Sequence, residues 1–151
     1  MPVIEGRQSG RRCLIDVLFW LSDREVRRRG SSPLPKPIPA VALIDTGASK
    51  SCVHIEHLAT TLGLTPVDTE PVYSSTTGRG RAPKKPIYHC GLRIPVRASG
   101  QTVNHVLPDL RVFGLELDPF LDQFSVLIGT DILAGCDFHL RGAKQEFSLA
   151  F

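Results

Sequence analysis

No stretch of the chain approaches the ~20 consecutive apolar residues that a membrane-spanning helix needs, so no membrane partner is expected. Cysteine is scarce, and Cys13, Cys52, Cys90 and Cys136 are scattered with no Cys-x-x-Cys pair. No histidine stands at metal-ligand spacing from them either. This excludes a dense disulfide scaffold and a zinc site, predicts buried thiols, and gives no reason to expect a metal. The segment from Met1 to Arg7 lacks the apolar run ending in small residues that marks a secretory signal, so a cytoplasmic location is the expectation. The histidines (His54, His57, His89, His105 and His139) have no serine or cysteine partner signature, which argues against a histidine-assisted nucleophile.

What is present fits an ordinary soluble domain. The chain has 151 residues, 42% hydrophobic and 22% charged, with a formal net charge of +3. That length supports one core, and residues 1–151 are read as a single domain. Five of the 18 basic residues, Arg24, Arg27, Arg28, Arg29 and Lys36, fall in one segment. This cluster and the basic run 79–85 lack interleaved aromatics or a known reading motif. They are taken as solvated loops, and no nucleic-acid partner is expected.

Residues 13–21 are rich in β-branched and aromatic types and predict a first strand. Residues 22–39 hold four prolines, Gly30 and the arginine cluster, and predict an exposed basic loop. Residues 40–44, Ala-Val-Ala-Leu-Ile, read as a strand buried on both faces that stops abruptly at Asp45-Thr46-Gly47-Ala48-Ser49. In residues 54–63, Ile55, Leu58, Ala59 and Leu62 share one helical face, and Gly63 is the expected stop. Residues 72–77 and 87–94 predict a hairpin around a glycine-bearing turn at 78–81. Further strands are expected at 102–107 and 110–113, with a loop around Asp118-Pro119. Residues 126–133 read as a buried strand running through Gly129 into a short helix, and 136–140 and 146–151 as closing strands. There is no internal repeat. The fold class is mainly β with one or two short helices.

Asp45 is the residue with a chemical argument. A carboxylate at the end of an apolar strand is partly desolvated and needs donors, which turn N–H groups such as that of Gly47 can supply. Glycine lets the backbone approach closely there. Taken alone, the tripeptide could equally be an ordinary Asp-Thr-Gly turn.

The longer string Ala42-Leu43-Ile44-Asp45-Thr46-Gly47-Ala48-Ser49 resembles the active-site motif of aspartic proteases. Downstream, Val126-Leu127-Ile128-Gly129-Thr130-Asp131-Ile132-Leu133 is similar to the second signature of the retropepsins, with Ile128 and Gly129 at its apolar-Gly step. The resemblance covers the chain from about residue 13 to Phe151. It implies a retropepsin-like acid-protease β-barrel in which the two motif strands build a ψ-shaped structure behind the active site. The hairpin becomes a flap with Thr76, Thr77, Gly78, Arg79 and Gly80 at its tip, and the basic tip suggests acidic or polar substrate residues.

Only one Asp-Thr-Gly occurs, whereas pepsin-like enzymes carry two in one longer chain. The resemblance therefore implies a homodimer, an aspartic endopeptidase acting on a peptide or protein substrate with Asp45 of each copy as catalytic residue and no cofactor. Thr46 is expected to reach across to the partner backbone, and Gly47 to line the substrate backbone. Ala48 stands where pepsin-like enzymes place a hydroxyl, and Ser49 follows one position later. In the viral enzymes the terminal strands interleave between subunits, and residues 147–151 alternate as such a strand could, or as an internal one could. The rival reading is a catalytically idle peptide-binding or dimerisation module on the same fold.

Overall fold

The computed structural model describes residues 3–73 and 82–151. Among the described residues ten strands run in the order β1 Val3–Ser9, β2 Arg12–Trp20, β3 Ile38–Ile44, β4 Cys52–His54, β5 Asp68–Pro71, β6 Lys84–Ala98, β7 Gln101–Leu115, β8 Val126–Ile128, β9 Asp137–Arg141 and β10 Glu146–Ala150. Among the described residues, the α-helices are α1, Asp23–Arg29, and α2, Thr130–Leu133. None is long and apolar enough to cross a membrane.

The strands β2, β3, β8, β4, β7 and β6 are hydrogen-bonded in that order, and β6 returns to β2 through Leu18↔Arg93, Phe19↔Leu92 and Trp20↔Gly91. This closes a barrel, which removes sheet edges around the core. β5 adds to β6, while β1, β10 and β9 extend the sheet on the other side of β2. Alternating residues of β2, among them Ile15, Val17 and Phe19, point inward onto Leu92, Ile94, Val112 and Val126. The fold is mainly β with short helices, as expected from the strand patterns.

Several boundaries differ from the sequence reading, each for a local reason. Residues 22–39 are not loop throughout, because 23–29 form α1. Ser22 is buried and its Oγ accepts from the Glu25 N–H at 3.1 Å, which caps the helix. Asp23 and Glu25 sit in the first turn and Arg27, Arg28 and Arg29 in the last, the charge order that the helix dipole favours. The rest of the segment is anchored, since Trp20 Nε1 donates to the Pro35 carbonyl at 2.7 Å.

β3 is buried on alternate residues rather than on both faces, with Ala42 and Ile44 inward. The helix expected at 54–63 is shorter, a π-helical turn over Ile55–Thr60 that buries Leu58 and Ala59 and is capped at Thr61; Gly63, the expected stop, lies in the turn that follows, with φ +66°. His54 caps it, with Nδ1 accepting from the His57 N–H at 3.1 Å. That bond fixes the proton on Nε2, which lies 3.1 Å from Asp118 Oδ1. Asp118 begins a short 3₁₀ turn, Asp118–Phe120, where a loop was expected.

The strands expected at 102–107 and 110–113 are one strand, β7. Pro108 and Asp109 sit opposite Gly91, between the pairs Leu92↔Leu107 and Cys90↔Leu110. A bulge there absorbs the missing proline N–H without ending the ladder. β6 and β7 join through Ser99 and Gly100, both at positive φ (51° and 79°), as a two-residue hairpin turn requires.

Candidate active site

The chain leaves β3 at Ile44, makes the Asp45 turn and returns as β4, and β8 lies between the two arms. β3 and β8 are parallel, pairing Ala42↔Val126, Leu43↔Leu127 and Ile44↔Ile128, while β4 pairs antiparallel with the other edge of β8. This is the ψ-shaped arrangement. It brings the two motifs of the sequence, some eighty residues apart, side by side.

Asp45 is partly buried at the tip of this arch. Its N–H donates to the Ile128 carbonyl at 2.9 Å, which ties the first motif to the second. Its Oδ1 accepts from the Gly47 N–H at 2.9 Å, the bond expected from the tripeptide. Among the described residues Oδ2 has no hydrogen-bond partner. The carboxylate is thus oriented by its own turn through one oxygen and presents the other. Thr46, Gly47 and Ser49 are exposed and Ala48 is half-buried.

Ile128 and Gly129 are buried beneath the arch. A Cβ on Gly129 would lie 2.8 Å from the Ala48 carbonyl oxygen and from the Lys50 carbonyl carbon, so only glycine fits. The Thr130 N–H donates to the same Ala48 carbonyl at 2.8 Å.

Sequence reasoning missed the side chains that lock this contact. Ser51 is 1% exposed, and its Oγ donates to Asp131 Oδ1 at 2.7 Å while accepting from the Gly129 N–H at 2.9 Å. The Ser51 N–H donates to Asp131 Oδ2 at 3.0 Å. Both oxygens of Asp131 therefore hold the arch from below. The available signal was Asp131 in the first turn of a helix directly after the glycine.

A cleft of ≈ 700 Å³ opens over Asp45. Phe113, Leu115 and Leu127 give it an apolar wall, Lys50 lies at its rim, and Glu70 to Tyr73 line it from the hairpin side. Arg111 holds the Glu70 carboxylate and reaches Asp68 at 3.2 Å, which fixes β5. Cys52 also lines the cleft; burial pushes its thiol up to about 12, with the Asp131 and Asp45 carboxylates adding to the effect. Among the described residues the hairpin base pairs β5 with β6, with Pro71↔Lys84 the last pair; Val72 and Tyr73 of the expected strand 72–77 lie beyond it outside any strand, and its remainder lies outside the described residues. The expected tip residues Thr76, Thr77, Gly78, Arg79 and Gly80 lie outside the described residues.

No family model and no curated protein sequence matches the chain. Among solved structures, a retropepsin-like aspartic protease from Rickettsia conorii aligns over 99% of this chain and 92% of its own, with a TM-score of 0.51 at 15% identity. EIAV protease in an inhibitor complex aligns over 85% of this chain and 90% of its own (TM-score 0.37, 16% identity). The retroviral protease-like domain of Ddi1 from Leishmania major aligns over 86% and 82% (TM-score 0.36, 17% identity). A closed barrel, an Asp-Thr-Gly turn arched over a buried glycine, and an alignment along nearly the whole chain agree: the fold is retropepsin-like.

Proposed function

We propose that the chain is one subunit of an aspartic endopeptidase, with the reaction centre formed by Asp45 from each of two copies. The observation that carries this reading is the half-site itself. A carboxylate at the floor of a cleft is oriented through Oδ1 by Gly47, leaves Oδ2 unengaged among the described residues, and stands on an arch anchored from beneath.

Two such groups about 3 Å apart cannot both ionise, behaviour long established for aspartic proteases. The ionised one takes a proton from water, which attacks the scissile carbonyl, while the protonated one polarises the carbonyl oxygen and donates to it. The proton removed from water then passes to the leaving amine. Thr46, exposed beside Asp45, is free to contact the partner's turn. The apolar wall of Phe113, Leu115 and Leu127 suits a bulky apolar side chain beside the scissile bond.

Incubation with denatured casein from acid to neutral pH, with Asp45→Asn as control, tests the proposal. The native protein is expected to cleave with pepstatin sensitivity, and Asp45→Asn to lose about 10²–10⁴-fold of the rate. Equal background from both proteins would leave a peptide-binding module on this fold instead.

A further inference from the structure

The terminal strands do not have the freedom that subunit interleaving needs. β10 is paired on both sides within its own chain, with β1 (Val3↔Ala150 through Arg7↔Glu146) and with β9 (Glu146↔Arg141 through Ala150↔Asp137). Residues 147–151 take the internal-strand alternative, with Phe147 and Leu149 buried. The sheet ends at β9, whose outer edge is unpaired among the described residues.

That edge carries an unusual pattern, Asp137-Phe138-His139-Leu140-Arg141. Phe138 and Leu140 lie on the core face, opposite Leu149 and Phe147 in the register, yet Leu140 is 54% exposed because no strand follows it. The depression that Phe138 and Leu140 line also reaches Asp45 and Thr46. Asp137, His139 and Arg141 face the other way and are exposed. Arg141 touches Glu146 only at 4.0 Å, with 63% of its side chain exposed. An apolar side chain on the inner face of an open edge is the feature that a soluble strand normally avoids unless something covers it.

We propose that a second copy of this chain pairs antiparallel with β9, centred on His139, so that one continuous sheet joins the two subunits beside their Asp45 turns. The register follows from the twofold axis, since each pair must sum to twice the central residue. Asp137 then faces the partner's Arg141, Phe138 faces the partner's Leu140, and His139 faces its own copy. Both charge pairs are of opposite sign, and the apolar pair lies on the core face. A shift by one residue would lose the charge match and turn Phe138 and Leu140 to the wrong side of the junction. This inference rests on the two-copy reading above and specifies how the copies meet.

Three variants test it. With His139→Cys, the two Cα atoms at the axis stand about 4.5–5.5 Å apart in any antiparallel pair, within disulfide range. Mild oxidation is expected to give a cross-linked dimer that the wild-type protein does not form. Asp137→Arg and Arg141→Asp each place like charges opposite one another and are expected to weaken the dimer on the order of ten-fold in sedimentation. Mixing those two variants restores both pairs and is expected to return near-native affinity. Both side chains are exposed, and unchanged thermal melting at a concentration that keeps the protein assembled confirms folding.

A dimer that neither cross-links through residue 139 nor responds to the charge variants would overturn the β9 junction and leave the hydrolase reading standing. A dimer that behaves as stated but does not cleave casein would remove the hydrolase and keep the junction. A monomer at every concentration would remove both.

Discussion

Ser51 and Asp131, 80 residues apart in sequence, share a hydrogen bond of 2.7 Å directly beneath the Asp45 turn. The same hydroxyl accepts from the Gly129 N–H, so one buried side chain just past the first motif satisfies two groups of the second. Replacing it leaves a buried donor and a carboxylate oxygen short of partners.

Ser51→Ala is therefore expected to destabilise the fold by about 1–3 kcal/mol, the cost of stranding a buried polar group. At about 2–4 °C per kcal/mol for a chain of this size, thermal unfolding resolves the change. Ser51→Thr, which keeps the hydroxyl, is expected to lose less. A melting temperature for Ser51→Ala equal to wild type would show that water replaces the bond at no cost.

Gly129→Ala forces a Cβ against backbone on two sides, at 2.8 Å from Ala48 O and 2.9 Å from Lys50 O. No flexible side chain can yield there. A loss of about 1–3 kcal/mol is expected from the overpacking, together with displacement of the Asp45 arch. Casein cleavage should fall by more than the folded fraction does, which activity per folded molecule measures.

Glu25 supplies a pH dependence. The bidentate hydrogen bonds from Arg28 hold its carboxyl down at about 2, against an ordinary 4.5, with Arg29 helping and partial burial opposing. A depressed carboxyl contributes stability that is present above the unfolded value and lost as pH falls through the folded one. The melting-temperature gap between wild type and Glu25→Gln should thus be full above pH 4.5 and shrink toward pH 2. A gap that stays constant through that window would refute the assignment. Arg29 also donates to the Leu62 and Gly63 carbonyls at 3.0 and 3.1 Å, so proteolysis near residue 63 should follow the same profile.

All four cysteines are free, and burial raises every thiol, Cys90 most of all and Cys52 to about 12. Thiolate is the reactive form, so a thiol reagent at neutral pH should label the native protein slowly and the urea-unfolded protein at all four sites. Rapid native labelling of Cys52 would mean that the cleft wall opens.

The readable parts of the site were those whose chemistry is local. An apolar run that stops at Asp45-Thr46-Gly47, and another that runs through Gly129 into a helix, mark themselves within a few residues. The Ser51 to Asp131 clamp was invisible, because two common polar residues gain meaning only when the chain folds them together. α1 was hidden by the prolines that follow it, although Ser22 stands three residues before Glu25 as a helix start should. Pro108 split β7 on paper, since a proline usually ends a central strand, and the bulge opposite Gly91 could not be foreseen. β1 was missed because its sequence, Val3-Ile4-Glu5-Gly6-Arg7-Gln8-Ser9, carries just two apolar side chains, adjacent rather than alternating, with a glycine in the middle.

Because the arch over Gly129 is closed by residue 131, the acid cannot be positioned while the ribosome has delivered only the first two-thirds of the sequence. The 79 residues between Ser51 and Asp131 must be gathered before the clamp shuts, a loop-closure cost that the local Asp45 turn does not carry. A nascent or clipped chain ending before Val126 has its aspartate but lacks β8, Gly129 and Asp131 to hold its turn, and any hydrolytic power is withheld until synthesis has passed Asp131.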